Sequence, residues 1–316
     1  MQLIRLFSHS GCPGPGRPTA RRTRTLAAVG ALSLLAVGCS AAATPSPQDN
    51  APAHGRPAVA PAARALLTQA KLIERAQARR DAVAARWGLD EAPLEPPEPP
   101  AAKPHITTEP VFARGDDPDL PTAISRVPTD RKIVFLTLDD GYDKDPEFLR
   151  MTKELHIPYS AFLSDYLAKA GKGYGFFRTV QQQGNGVHNH TLHHPYLPGL
   201  SDAQQRKEIC GQQEYLTREM GRTPRLFRPP YGDYTHETLK IAASCGISVV
   251  PLWAEEFFPD HVDYSRGDGK LHPGDIILSH FRGREDWQAT MPDLLRNVLR
   301  TATEQGFAVA RLEDYV

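Results

Sequence analysis

Ile133-Val134-Phe135-Leu136-Thr137-Leu138 runs without an alternating polar face and ends abruptly in Asp139-Asp140-Gly141. A short run that is apolar on both faces is the pattern of a parallel strand buried between layers. Two adjacent carboxylates directly after such a strand are costly to place there without partners. A surface turn accounts for an isolated Asp-Asp-Gly, so the weight of this stretch depends on the motifs downstream in the chain.

Beyond it the pattern alternates between strand and helix. Pro146 to Leu155 reads as a helix and Tyr159 to Leu163 as a strand, followed by a helix around Phe176 to Gln183 and a short strand near Val187. Ser201 can cap a helix running to about Met220, with Ile209, Cys210, Gln213, Leu216 and Met220 at helical spacing. Leu226 to Arg228 reads as a strand end, His236 to Cys245 as a helix stopped by Gly246, and Ile247 to Pro251 and Ile276 to Ser279 as strands. Pro292 to Gln305 and Phe307 to Arg311 supply a last helix and strand. Repeated βα units of this length predict a parallel α/β barrel, whose chemistry collects at the C-terminal ends of the strands.

Four such ends carry reactive side chains. The first is Asp139-Asp140-Gly141. The second is His188-Asn189-His190-Thr191-Leu192-His193-His194-Pro195, where His190 and His194 are four apart and would face one way on a helical turn. The third is Phe227-Arg228-Pro229-Pro230-Tyr231-Gly232, and the fourth Leu278-Ser279-His280. Any one of these is ordinary, since histidine clusters are more often solvated surface than ligands. Their joint occurrence predicts a site with two histidines and one aspartate on a metal and an open coordination position. A second carboxylate, an arginine and a spare histidine complete the equipment for metal-assisted hydrolysis.

These four motifs, in this order, resemble the successive motifs of the polysaccharide deacetylase family (the NodB-homology domain, carbohydrate esterase family 4), over roughly Lys132 to Val316. The N-terminal organisation is similar to that of actinobacterial lipoprotein members. The resemblance implies a distorted (β/α)7 barrel and a divalent metal, zinc first, with cobalt or manganese as substitutes. It implies that Asp140, His190 and His194 hold the metal and that Asp139 is the general base, oriented and kept ionised by Arg228. It further implies that His280 is the general acid and that the backbone N–H of Tyr231 helps stabilise the oxyanion. The reaction implied is removal of N-acetyl groups from an extracellular amino-sugar polymer, peptidoglycan or chitin-like, with release of acetate. Two alternatives stay open: an O-acetyl esterase acting on xylan or another polymer, and a non-catalytic glycan-binding module. Retention of both Asp139 and His280 argues against the module, which needs neither.

The chain departs from the family where an aspartate usually supports the acid histidine. Here the run is Trp253-Ala254-Glu255-Glu256-Phe257-Phe258-Pro259-Asp260, and offset from Trp253 makes Glu256 the nearest substitute, with Glu255 and Asp260 behind it. Trp253 is a candidate wall for the sugar and equally a core tryptophan; Phe257 and Phe258 have the same two readings. His188, His193 and His272 have no assigned role.

The first hundred residues are of another kind. Arg17, Arg21, Arg22 and Arg24 precede an apolar run from Leu26 to Val37, then Gly38-Cys39-Ser40. That is the layout of a secretory signal, its apolar run well short of the ~20 residues that span a bilayer. Leu35-Ala36-Val37-Gly38-Cys39 resembles a bacterial lipobox, so Cys39 is the expected lipidation site at the end of a 1–39 signal segment. Residues 40–104 are rich in Ala and Pro and read as a linker with a candidate helix over 62–87, where Leu66, Ile73, Val83 and Trp87 share a stripe. The catalytic domain is expected over 105–316. The expected location is the extracellular face of the cytoplasmic membrane, lipid-anchored, or else secreted. Formal net charge is +0, which leaves no electrostatic footprint for nucleic acid. The partners expected are an acetylated polysaccharide and, through the anchor, a membrane. Export also places Cys210 and Cys245 in an oxidising compartment, where they are expected to pair.

Overall fold

The computed structural model describes residues 61–316 apart from residue 172, with side chains from residue 64. The signal segment and Cys39 lie outside the described residues. Helix α1 (Pro61–Arg86) is followed by strands β1 (Thr122–Ile124) and β2 (Ile133–Asp140), helix α2 (Pro146–Leu155), β3 (Ser160–Leu163), α3 (Asp165–Ala168), α4 (Tyr174–Gln182) and β4 (Gly186–Asn189). Then come α5 (Asp202–Met220), α6 (His236–Ser244), β5 (Val249–Pro251), β6 (Glu255–Phe257), β7 (Val262–Tyr264), β8 (Ile276–His280), α7 (Arg284–Trp287), α8 (Met291–Gln305) and β9 (Ala308–Val309).

β2 is the axis of this arrangement, and all eight of its residues are buried. It pairs in parallel with β3 on one side and β8 on the other, while β9 pairs with its first residues. The two-residue period of a strand then sorts its side chains. Val134, Leu136 and Leu138 pack among α2 and α8 residues such as Phe148, Met151, Leu295 and Val298. Ile133 and Phe135 pack instead with Ile124, Phe162, Leu226, Val249 and Ile276, a cluster built from strands. Asp139 continues the inward row, so the strand's own pleat delivers it to the mouth of the barrel.

The ring around that interior is parallel but irregular. β3 pairs with β4, a bridge joins Asn189 to Phe227, and another joins Leu226 to Val249 of β5. β5 pairs with β1, and the circle closes where Ile276 N–H donates to Ser125 O (3.1 Å) and Ala254 N–H donates to Ile276 O (2.9 Å). This is a distorted (β/α) barrel. β6 and β7 form an antiparallel pair at its rim, β6 lying parallel to β8.

The helices cap as their sequences prescribe. Asp145 accepts from Glu147 N–H at the start of α2, Ser201 N–H donates to Gln204 Oε1 before α5, and Thr235 accepts from Thr238 N–H at α6. Cys210 on α5 and Cys245 just after α6 form a disulfide with their Cα atoms 5.2 Å apart. Only the C-terminal end of α1 engages the barrel. Ala84, Leu89 and Ala92 are buried, and Trp87 Nε1–H donates to Glu154 (2.9 Å), whereas Leu66, Leu67, Leu72 and Ile73 stay exposed. The segment read as linker therefore packs onto the domain from Ala84 onward. Among the described residues no helix is long and apolar enough to cross a membrane.

Candidate active site

Arg228 organises the mouth of the barrel. Its side chain is 0% exposed, and burying a guanidinium demands that its donors be met. Nε–H donates to Pro251 O (2.7 Å) and Nη2 to Leu252 O (3.2 Å); Nη1 donates to Thr137 Oγ1 and Asp139 Oδ1, both at 2.8 Å. Phe162 covers one face at 4.5 Å, with Trp253 further off at 5.8 Å. Asp139 is thereby fixed in position. Burial raises its pKa above the usual carboxylate range, and Arg228 only partly offsets that.

Asp140 turns the other way because its backbone is left-handed (φ 76°), as is that of Gly141 (φ 84°). A Cβ on Gly141 would sit 2.9 Å from Leu163 Cδ2, so glycine is required there. Asp140 Oδ1 lies 3.9 Å from His190 Nε2 and 3.7 Å from His194 Nε2, and Oδ2 accepts from Arg282 Nη2 at 2.6 Å. Burial works to raise the Asp140 pKa, but His190, His280, His194 and Arg282 together carry it below the ordinary value.

His190 and His194 do converge, but not on a helical turn. Asn189 Oδ1 accepts from Thr191 N–H (2.8 Å) and Thr191 Oγ1 from His194 N–H (3.0 Å), folding the chain into a bend with Thr191 and His194 both left-handed. His190 Nδ1–H donates to Arg228 O at 2.6 Å, which leaves the Nε2 lone pair facing both carboxylates, 3.7 Å from Asp139 Oδ2 and 3.9 Å from Asp140 Oδ1. Burial pushes the His190 pKa down to about 4 and lowers that of His194, so both imidazoles are neutral at neutral pH, the form that can bind a metal.

The donor set fits a metal. Ligand atoms of Asp140, His190 and His194 lie within 4.8 Å of one another. Tetrahedral zinc with bonds of ~2.1 Å needs ligand atoms ~3.4 Å apart, close to the separations found.

His280 stands beside Asp139, its register partner across β2 and β8. Its Nδ1 is 3.5 Å from Glu256 Oε1. Glu255, the adjacent residue on β6, is buried on the other side of the strand, and Asp260 is exposed and paired with His261 (2.8 Å). Of the three carboxylates, then, Glu256 reaches the histidine. Burial lowers the His280 pKa, and Asp139 and Asp140 oppose the shift.

Tyr231 sits on a single helical turn, Pro230–Gly232, with φ 64° and its side chain at the surface, its ring 4.7 Å from that of His194. Trp253 is half-buried, and a Cβ on Gly232 would meet its ring at 2.9 Å. Phe257 is core, while Phe258 stacks on His261 at 4.4 Å. Beyond the Asp139-Asp140-Gly141 turn opens a cleft of about 640 Å³ whose lining includes Tyr142, Pro146, Arg284 and Glu285. The remaining histidines are elsewhere: His188 bonds Glu313 (2.7 Å), His193 bonds Glu208 (2.9 Å), and His272 lies beside Asp268 and Asp275. Arg282 was not anticipated; its one signal is a cation two residues beyond His280 at the same strand end.

Comparison with known proteins adds to this geometry. The family model described as polysaccharide deacetylase matches residues 126–250. An uncharacterized protein of Streptomyces coelicolor is 41% identical over 198 residues, 62% of this chain and 78% of its own length. A peptidoglycan-N-acetylglucosamine deacetylase of Bacillus cereus is 29% identical over 164 residues, 48% of this chain and 57% of that one. A solved peptidoglycan N-acetylglucosamine deacetylase is 25% identical, with a TM-score of 0.53 over 61% of this chain and 91% of the other.

Proposed function

The chain belongs to the polysaccharide deacetylase family of hydrolases, and from that premise we propose that it is a zinc-dependent enzyme removing N-acetyl groups from an extracellular amino-sugar polymer, peptidoglycan or chitin-like. The observation that carries this reading is a buried, Arg228-held Asp139 with His280 as its cross-strand neighbour, both next to the Asp140, His190 and His194 cluster. A module that only bound glycan would have no use for a buried carboxylate and an imidazole so placed.

Asp140, His190 and His194 would hold the metal, which when bound would polarise the acetyl carbonyl and lower the pKa of a water toward neutrality. Asp139 takes the proton of the attacking water, its raised pKa giving it affinity for that proton and Arg228 fixing its direction. The backbone N–H of Tyr231 donates to the oxyanion that forms on the acyl carbon. His280 gives its proton to the departing sugar nitrogen, with Glu256 at its other ring nitrogen keeping the imidazole oriented. The amide C–N bond breaks, water supplies one oxygen to acetate, and the amine leaves with the proton from His280, which the proton taken up by Asp139 replaces.

We also place the enzyme outside the cytoplasmic membrane, tethered through Cys39. The arginine-rich lead, the short apolar run and Gly38-Cys39 support that reading, and the Cys210–Cys245 disulfide agrees with an oxidising compartment. Cys39→Ala should release the protein from the membrane fraction or leave it unprocessed; an unchanged partition would end the anchoring claim.

Acetate release measured side by side on N-acetylated chito-oligosaccharide, peptidoglycan and acetylated xylan, with zinc or cobalt, tests the substrate class. Release from an amino-sugar polymer is expected. Release from xylan alone would make the protein an O-acetyl esterase, and none from any would make it a binding module.

A further inference from the structure

A second convergence of carboxylates and a histidine lies on the far side of β6 from His280. Glu256 faces the catalytic histidine, and the strand's alternation sends Glu255 the opposite way, against the segment leading into β8. Glu255 is 0% exposed, and no N–H or hydroxyl donor reaches either of its carboxylate oxygens, its close polar neighbour being the Asp275 carboxylate, with which it can share a proton. Asp275 is buried as deeply, while His272 is half-buried. One ligand atom from each of Glu255, His272 and Asp275 lies within 4.8 Å of the others.

The histidine is set up to accept rather than donate. Its Nε2 lies 3.1 Å from Asp268 Oδ2, so in the neutral imidazole the Nε2–H donates there and Nδ1 carries the lone pair. Nδ1 is buried, has no hydrogen-bond partner, and points inward, 3.4 Å from Asp275 Oδ2. A carboxylate behind the far ring nitrogen is the usual support of a metal-binding imidazole. Asp275 itself accepts from Arg126 Nε (2.8 Å), Arg266 Nη1 (3.4 Å) and His272 N–H (2.6 Å).

Hydrogen bonding leaves a deficit. With Glu255 protonated, Asp275 and Asp268 are matched by the guanidiniums of Arg126 and Arg266; with Glu255 ionised, one negative charge is left over. Burial, with Asp275 beside it, pushes the Glu255 carboxyl up to about 9. A proton on Glu255 would engage one acceptor, leaving its other oxygen and His272 Nδ1 orphaned at a cost of ~1–3 kcal/mol for each buried group. A cation engages an atom of each residue at once.

We propose that Glu255, His272 and Asp275 form a second divalent-cation site, separate from Asp140, His190 and His194, suited by its two carboxylates and one imidazole to a transition-metal ion such as zinc. Its occupant ties β6 to the segment that enters β8, and so fixes the strand whose other face carries Glu256.

Zinc content per folded chain after equilibrium dialysis tests this, with circular dichroism as the check on folding. The wild type should hold two zinc ions, the His190→Ala/His194→Ala variant one, and that variant carrying Glu255→Gln as well should hold none. His272→Ala, a half-exposed position that a fold tolerates, should remove the same ion if Glu255→Gln does not fold. If the first site binds no zinc, the wild type holds one ion, and Glu255→Gln or His272→Ala removes it; that failure belongs to the deacetylase reading alone. A single ion lost entirely in His190→Ala/His194→Ala overturns the proposal and leaves Glu255 and Asp275 as a proton-sharing pair. Zinc that neither Glu255→Gln nor His272→Ala displaces is adventitious and overturns it equally.

Discussion

The Asp140, His190 and His194 cluster and the Glu255, His272 and Asp275 cluster bring their ligand atoms to the same closeness, within 4.8 Å in each case. Their surroundings differ. The first sits at the C-terminal ends of β2 and β4, with an ionisable carboxylate, Asp139, and a second imidazole, His280, beside it. The second sits where β6 begins and β8 is about to begin, and its neighbours are two arginines already committed to Asp275. A set of ligands can hold a cation in either place, but hydrolysis needs a base and an acid as well. Among the described residues the first cluster has candidates for both beside it, which is why the proposed chemistry is assigned there and a structural role to the other.

The sharpest way to break that contrast is to remove ligands from each. His190→Ala or His194→Ala should cost at least the ~10²–10³-fold in kcat that losing one transition-state donor costs, and should empty the first site while leaving thermal stability near wild type. Steady-state acetate release and zinc analysis on the same preparations check this. Activity surviving in an emptied first site would move the chemistry elsewhere.

A smaller effect is expected one residue along β6. Glu256→Gln should lower kcat by about 10- to 100-fold, by analogy with losses at groups supporting metal ligands. It should also move the alkaline limb of the pH–rate profile to lower pH, because His280 loses the carboxylate that favours its protonated form. An unchanged profile would reduce Glu256 to packing.

Stability offers two finer probes. Replacing Cys210 and Cys245 by serine opens a link between positions 35 apart and should cost about 2–4 kcal/mol in chemical denaturation. Full stability in the double variant would show that the packed helices suffice. A second change is expected at Glu255 in chelator-treated protein. Its carboxyl is raised from 4.5 to about 9, so the folded state holds a proton that the unfolded chain gives up above pH ~4.5. Stability from that proton is complete below pH ~4.5 and is lost as pH rises toward 9. Glu255→Gln, which cannot ionise, should therefore melt a few °C higher than wild type at pH 8 and equal it at pH 4. With zinc present the order at pH 8 should reverse. Superimposable curves at both pH values would remove the buried-carboxylate explanation of this cluster.

Much of the catalytic cluster was legible because it hangs on regular elements. The run Ile133 to Leu138 announces a buried strand, and its pleat carries Asp139 inward without further information. Ser201 marks the start of a helix, and export to an oxidising compartment pointed to the pairing of Cys210 and Cys245. Offset from Trp253 also led to Glu256, since strand alternation leaves only one of two adjacent glutamates facing His280. What the sequence hid is local and irregular. β1, β6 and β7 have three residues each, too few for a period to show, and β6 is two-thirds glutamate. The spacing of His190 and His194 suggested a helical turn, whereas the Asn189 side chain captures Thr191 N–H and bends the chain instead. The second cluster was invisible because His272 and Asp275 meet Glu255 only after the rim hairpin folds back.

The mechanism proposed for the first site stands on a division of labour between two adjacent carboxylates. Asp139 moves a proton while Asp140 holds the metal, and the left-handed backbone at Asp140 separates the two side chains. The decisive experiment measures first-site zinc occupancy together with acetate release for Asp139→Asn and Asp140→Ala, both made in the Glu255→Gln background so that only the first site is counted. Asp139→Asn should keep its zinc and lose turnover, while Asp140→Ala should lose both. An Asp139→Asn protein with an empty site, beside an Asp140→Ala protein that stays loaded, would contradict the assignment and exchange the two roles.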